Sequence, residues 1–185
     1  MSSTYFRPLL ALSALGLLTA CGDGGARTEV AIKPAAAPAK PADPAATNFV
    51  QTSVATDIFE IDASRVALER SQNWYVKKLA QEIIDSRSKQ GGELQVALSG
   101  VGIRPDTRLP ADKAAAVEEL RTVAPAQFDK KYLEAATQAQ AAALEVVEQY
   151  AEDGATPALK AVAEKKAPEL REQHAEAQSL KSRVG

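Results

Sequence analysis

Polar side chains interrupt the apolar face of each long helix that the sequence predicts. At 100° per residue, Arg87 falls about 20° from the line through Val76 and Leu94, so it faces the interior of a helix bundle. Further polar residues lie on or beside the apolar stripes of the predicted helices: Glu60, Gln90, Gln140, Gln173 and His174. Buried polar groups need hydrogen-bond partners, so these residues are the candidates for a polar cluster between the helices.

The chemistry open to these residues is narrow, because the chain has one histidine and one cysteine. A di-iron bundle requires Glu-x-x-His pairs, and the residue three before His174 is Arg171. His174 with Glu60 and water would supply two protein donors, so it is at most a possible weak ligand. His174 also lacks an identifiable Ser or Asp partner, and no phosphate-binding glycine loop is present. We therefore expect no metal, no cofactor and no catalytic residue, with His174 half exposed on its helix.

The helices that must position these side chains follow from apolar spacings of three and four. Long helices are predicted over residues 48–70, 73–99, 125–152 and 157–181, with a short helix over 111–123. The first helix is expected to bury an apolar stripe: Val50, Val54, Ile58, Ile61 and Leu68. Pro168 should kink the last helix or divide it in two, because proline removes a backbone donor. The predicted fold class is all-α, a four-helix bundle with one extra short helix.

The N-terminus resembles that of bacterial lipoproteins. Arg7 precedes an apolar run from Leu9 to Leu18, which is too short to span a bilayer and is typical of a secretory signal. Leu18-Thr19-Ala20 directly before Cys21 resembles the lipobox, which implies that residues 1–20 are removed and that Cys21 is lipidated. By the same resemblance, Gly22 after the cysteine favours the outer membrane of a Gram-negative envelope, facing the periplasm. The alternative is an ordinary signal peptide followed by an incidental free thiol.

A linker separates this segment from the folded part. Residues 21–46 contain prolines at 34, 38, 41 and 44 without apolar periodicity, which predicts an extended tether. The remaining residues, 47–182, are enough for one domain. Because only 5% of the chain is aromatic, we expect a core of closely approaching helices with small contact residues.

Three segments resemble the DUF4142 family, whose members are expected to form ferritin-like helical bundles in the envelope. The segments are VKKLAQEII from Val76, FDKKYLEAATQAQ from Phe128 and APELREQHAEAQSL from Ala167. The family typically has Glu in the first helix, Asp-His in the second, His twelve residues after a Phe-Asp phenylalanine, and Pro-x-x-x-x-His in the last. In this chain those positions are occupied by Glu60, Ser86-Arg87, Gln140 and Gln173. His174 is one residue, or about 100° of helix rotation, away from the family position.

The loss of the family's histidines leads to a hypothesis about Arg87. Because a buried carboxylate without a partner costs several kcal/mol, we expect the guanidinium of Arg87 to neutralise Glu60 inside the bundle. Gln140 and Gln173 would supply further hydrogen bonds, giving a closed polar cluster of these four residues. The alternative is that Arg87 extends to solvent with only its stem buried.

The sequence therefore favours a lipid-anchored cell-envelope protein with a non-catalytic bundle domain in an interaction or stress-protective role. Its expected partners are the membrane, through Cys21, and an unknown envelope protein. Lysine pairs such as Lys165-Lys166 are balanced by nearby acids, so no basic stripe indicates nucleic acid. Two alternatives stay open: a degenerate metal-binding or redox protein of the ferritin-like type, and a carrier of a small anionic ligand anchored by Arg87.

Overall fold

The computed structural model describes residues 43–184, and the regular elements within them are all α-helices. These are α1 (Pro44–Arg70), α2 (Trp74–Leu98), α3 (Ala111–Thr122), α4 (Pro125–Asp153) and α5 (Pro157–Val184). The prediction of an all-α bundle with one extra short helix is confirmed. The predicted signal peptide, the lipidation site Cys21 and nearly all of the predicted linker lie outside the described residues.

The first helix begins inside the predicted linker. Asp43 caps α1, since its side chain accepts a hydrogen bond from the backbone N–H of Ala45 at 3.1 Å. Pro44 occupies the first turn, where a missing N–H costs nothing. Residues 44–46 are therefore helical, and Ala46 is buried against the core. The linker prediction extended too far because Pro44 was grouped with the linker prolines and not recognised as the first residue of a helix.

The four long helices form a closed ring. α1 packs against α2 and α4, and α5 packs against the same two helices. α1 and α5 therefore face each other diagonally, and so do α2 and α4. α3 packs against α1 and α4.

Contacts at the two ends set the helix directions. Arg70, at the end of α1, donates to the carbonyl oxygens of Leu120 and Val123, the latter at 2.6 Å, so α4 starts beside the end of α1. At the other end, Phe49 of α1 stacks on Tyr150 of α4 with ring centroids 4.6 Å apart. α4 therefore runs antiparallel to α1. The chain crosses the length of the bundle through residues 99–124, a connection typical of ferritin-like folds.

The hydrophobic core is divided into two clusters by a polar layer. One cluster lies near the α1–α2 connection and includes Leu79, Ile83 and Tyr132. The other lies near the start of α1 and includes Phe49, Leu159 and Leu170. Between them each long helix contributes polar residues that are at least nine-tenths buried: Asp57 and Glu60 from α1, Ser86, Arg87 and Gln90 from α2, Gln140 from α4, and Lys166 and Gln173 from α5.

Two local features differ from expectation. Pro168 does not divide α5, which is one helix because the buried residues on either side, Ala167 and Leu170, pack against the core. The face that α1 buries most deeply also differs from the expected stripe. Val50 is buried, but Val54, Ile58 and Ile61 are only half buried, whereas the neighbouring polar residues Asp57 and Glu60 are inside.

Within residues 43–184 no helix is both long enough and apolar enough to cross a membrane.

Candidate functional site

Arg87 and Glu60 form an ion pair in the polar layer. The Nε atom of Arg87 donates to Oε2 of Glu60 at 2.5 Å, and their side chains are 0% and 1% exposed. The 3.6-residue period turns both side chains toward the interior, and α1 and α2 are neighbours in the ring, so the pair bridges adjacent helices. The alternative in which Arg87 extends to solvent is wrong.

A second ion pair lies beside the first. Nζ of Lys166 donates to Oδ1 of Asp57 at 2.5 Å, across the diagonal from α5 to α1. The same Asp57 oxygen lies 3.5 Å from Nε of Arg87, which joins the two pairs. We call Asp57, Glu60, Arg87 and Lys166 the charged tetrad. Its two acids and two bases have no net formal charge, which is what allows four ions inside one bundle.

Polar groups of α2 and α5 complete the network. Nη1 of Arg87 donates to Oγ of Ser86 at 3.2 Å and to Oε1 of Gln90 at 3.1 Å. Gln90 in turn donates through Nε2 to Oε2 of Glu169 at 2.7 Å. These bonds connect Arg87 to α5, so three of the four long helices are linked through one guanidinium.

Gln140 and Gln173 do not supply the hydrogen bonds expected of them. Gln140 is completely buried, yet neither its Oε1 nor its Nε2 has a partner among residues 43–184. Oε1 of Gln173 and Nη2 of Arg87 also lack partners there. The reason is partly topological, because α4 lies diagonally opposite α2. Ser86 and Gln90 share a helix with Arg87, and they accept the hydrogen bonds that its Nη1 donates.

Burial changes the proton affinity of the Asp57–Lys166 pair. Desolvation raises the pKa of the Asp57 carboxyl, although Lys166 and Arg87 oppose the rise. Desolvation also lowers the pKa of Lys166, against the attraction of Asp57. Burial opposes the charge on Arg87 too, but Glu60 and Asp57 outweigh it and its pKa is raised. Arg87 therefore remains charged, while both members of the Asp57–Lys166 pair are shifted toward their neutral forms.

The residues present do not fit a ferritin-like metal centre. Glu60 and Asp57 are already paired with Arg87 and Lys166. The imidazole of His174 is half buried, and its Nε2 lies 2.7 Å from Nε2 of Gln178 on the same helix. Within the described part of the chain, no three His, Cys, Asp or Glu side chains converge as ligands would. The guanidinium supplies the positive charge that an ion would supply in such a bundle.

Sequence reasoning missed Asp57, Lys166 and Glu169. A signal existed for Lys166, because it lies four residues after Val162 and four before Leu170, both on the buried stripe of α5. It was interpreted instead as half of a lysine pair that nearby acids balance. Asp57 was missed because it adjoins Ile58, in the stripe that was expected to form the core.

An open cavity adjoins the charged tetrad on one side. Its volume is ≈ 630 Å³. We call it the α1–α2 groove; its lining includes Asp57, Ile58, Ile61, Arg87, Gly91, Leu94, Leu98, Ile103 and Arg104. An anionic-ligand carrier was expected to have an open pocket beside Arg87, and this groove is one. The same expectation is weakened by the pairing of that guanidinium with Glu60.

Comparisons with known proteins give the family and the fold. A crystal structure of a DUF305 fragment from Deinococcus radiodurans superimposes with a TM-score of 0.67 and 22% sequence identity, covering 78% of this chain and 99% of the fragment. That similarity shows the fold alone. No curated protein matches the chain significantly. The model of DUF4142, described as a domain of unknown function, matches residues 31–180. The chain therefore belongs to the DUF4142 family.

Proposed function

We propose that this chain is a lipid-anchored cell-envelope protein whose bundle is a non-catalytic interaction module. The lipobox-like sequence before Cys21 supports the anchor, and Gly22 supports an outer-membrane location facing the periplasm. The pairing within the charged tetrad supports a non-catalytic role, because its acids and bases neutralise one another.

An exposed aromatic pair is the observation that best supports an interaction role. Trp74 is 65% exposed and Tyr75 is 56% exposed at the start of α2, and their rings meet edge to face with centroids 5.1 Å apart. The guanidinium of Arg183 lies 5.8 Å from the centre of the Tyr75 ring. Trp, Tyr and Arg are the residues that contribute most often to binding energy at protein interfaces. We call these three residues the aromatic patch.

The position of the patch suits a tethered binding module. α1 has 27 residues and is about 40 Å long at 1.5 Å per residue. The tether would join the bundle at Pro44, whereas the aromatic patch lies beyond the other end of α1. A domain anchored at Cys21 would therefore present the patch away from its point of attachment, toward a protein partner.

Photo-crosslinking in intact cells tests this role. A photoreactive amino acid replaces Tyr75 in one variant and Val96 in the other; Val96 is 75% exposed on the same helix but distant from the patch. We expect a specific crosslinked protein from position 75 and none from position 96, and we expect Trp74→Ala to reduce its yield. Equal capture from both positions, or capture unaffected by Trp74→Ala, contradicts the proposal.

A second candidate function is favoured by the α1–α2 groove. Its volume of ≈ 630 Å³ is in the range of small-molecule sites, and its lining is largely apolar with a few charged groups. This supports the alternative of a carrier for a small anionic ligand. The two functions use different surfaces and do not exclude one another.

A further inference from the structure

An apolar stripe of α1 remains partly uncovered in the folded bundle. Val54, Ile58 and Ile61 are spaced by four and three residues, so they share one helix face. All three are half buried and line the α1–α2 groove, together with the half-buried Leu98 of α2. An apolar ligand in the groove would remove these side chains from water, which favours binding.

The outer wall of the groove is attached to the bundle. Residues 99–110 connect α2 to α3, and the connection turns at Gly100 and Gly102, whose φ angles of 87° and 80° favour glycine. Ile103 is only 8% exposed, and the backbone N–H of Asp106 donates to Oε1 of Gln51 on α1 at 3.2 Å. These contacts hold the wall against α1, so the groove is formed before a ligand arrives.

The charges around the groove favour an anion. Its lining contains Arg87, Arg104 and Asp57, which gives one formal positive charge in excess. Asp57 is already paired with Lys166, whereas exposed Arg104 makes no ion pair with residues 43–184. Nη2 of buried Arg87 has no hydrogen-bond partner in the same part of the chain. An anionic group in the groove could therefore pair with exposed Arg104 without displacing an existing ion pair.

We propose that the α1–α2 groove binds a single-chain amphipathic anion, a medium-chain alkyl carboxylate, with its chain on Ile58, Ile61 and Leu98 and its head group near Arg104. This inference rests on the carrier function proposed above, because it specifies the ligand class for that groove. It does not depend on the aromatic patch.

Adjacent glycines of α2 provide a matched pair of variants. Gly91 lines the groove and Gly92 does not. A Cβ atom at either position would have no heavy atom within 4 Å, so both positions accept the first atom of a side chain without a close contact. Gly91→Phe should place a ring inside the groove, and Gly92→Phe adds the same ring to the same helix outside it.

The binding experiment uses the full chain with Cys21→Ser, so that no acyl chain of its own competes. Isoleucine methyl groups are labelled for NMR. Decanoate and decyltrimethylammonium are titrated below their micellar concentrations, and decanol below its solubility limit. We expect saturable shifts at Ile58, Ile61 and Ile103 with decanoate, and none at Ile83, which is completely buried in the other core cluster. Decanoate should bind more tightly than decanol, and the cation most weakly.

Each substitution has an expected effect on the affinity for decanoate. Gly91→Phe should weaken decanoate binding by at least about tenfold, because the ring occupies the site, while Gly92→Phe leaves it unchanged. Arg104→Gln should weaken decanoate binding by up to about fivefold, as expected for an exposed ion pair, and leave decanol binding unchanged. Decanol binding as tightly as decanoate would overturn the preference for an anion but not ligand binding by the groove. Absence of any binding, or equal binding by the two phenylalanine variants, would overturn both.

Discussion

Lys166 of α5 reaches across the diagonal of the bundle to Asp57 of α1, with 2.5 Å between Nζ and Oδ1. The Arg87–Glu60 pair lies directly beside it, so two buried ion pairs replace the apolar contacts that would otherwise join the two halves of the core. Each pair fixes the position of one helix along another, because a shift by one turn would leave two ions unpaired. We infer that the charged tetrad specifies how α1, α2 and α5 align.

Removal of Arg87 should show how strongly Glu60 depends on it. Arg87→Met leaves a buried carboxylate without its nearest cation, so we expect the free energy of unfolding to fall by about 3–5 kcal/mol. The measurement is urea unfolding followed by circular dichroism at neutral pH.

The control for that substitution removes both charges. Glu60→Met with Arg87→Met leaves no uncompensated ion at this position, so the double variant should be more stable than Arg87→Met alone. If the double variant lost as much free energy of unfolding as Glu60→Met and Arg87→Met lose together, a direct pairing of the two side chains would be contradicted.

Lys166→Met should make stability depend on the ionisation of Asp57. Burial already raises the pKa of Asp57 above its ordinary 3.8, and loss of the lysine raises it further. A raised carboxyl pKa means that the folded protein binds the proton more tightly than the unfolded chain does. The stability from this group is therefore present below pH 3.8 and is lost as pH rises through the folded-state pKa.

The comparison variant is Lys166→Met with Asp57→Asn, which cannot titrate at this position. The free energy of unfolding of both variants is measured with urea between pH 3 and pH 8. Relative to the double variant, Lys166→Met should be more stable in acid and less stable near neutrality. Parallel profiles would show that Asp57 does not titrate in the folded bundle.

Tyr132 should limit stability in alkali. Burial raises the pKa of its phenol above the ordinary 10.0, although the hydrogen bond with Oγ of Ser64 at 2.9 Å opposes the rise. Since the folded state holds this proton more tightly, its contribution is present below pH 10 and is lost as pH rises above it, by up to about 1.4 kcal/mol per pH unit.

Tyr132→Phe tests whether the phenol of Tyr132 causes this loss of stability above pH 10. The variant should lose about 1–3 kcal/mol at pH 7, because the buried Ser64 hydroxyl loses its partner. Above pH 10 it should decline less steeply than the natural chain. Unfolding free energies from pH 7 to pH 11.5 provide the measurement, and equal slopes above pH 10 would contradict the assignment.

Two glycine substitutions should have opposite effects. Gly91→Ala adds a methyl group to open space in the middle of α2, so we expect a gain of about 0.5–1 kcal/mol from helix propensity. Gly154→Ala places a Cβ against the carbonyl oxygen of Tyr150 and 2.7 Å from its ring, so it should cost about 1–3 kcal/mol. Thermal unfolding of both variants should move the midpoint in opposite directions.

The helices themselves could be predicted because their signals are local. Asn73 caps α2 through a hydrogen bond to the N–H of Tyr75, and Pro125 begins α4; both ends were placed within one residue. The inward direction of Arg87 also followed from helical periodicity. These features depend on residues within one or two turns, which the sequence presents side by side.

What the sequence by itself determined is the set of five helices, most of their ends, and the presence of inward-facing polar residues on several of them. Only the tertiary structure decided which residues those polar groups meet: Asp57 and Lys166 are 109 positions apart and join on the diagonal. It also decided that α1 buries Asp57 and Glu60 more deeply than Val54, Ile58 and Ile61. Apolar residues are normally the buried ones, but a carboxylate can be buried when a cation from another helix neutralises it, and that condition depends on the whole bundle.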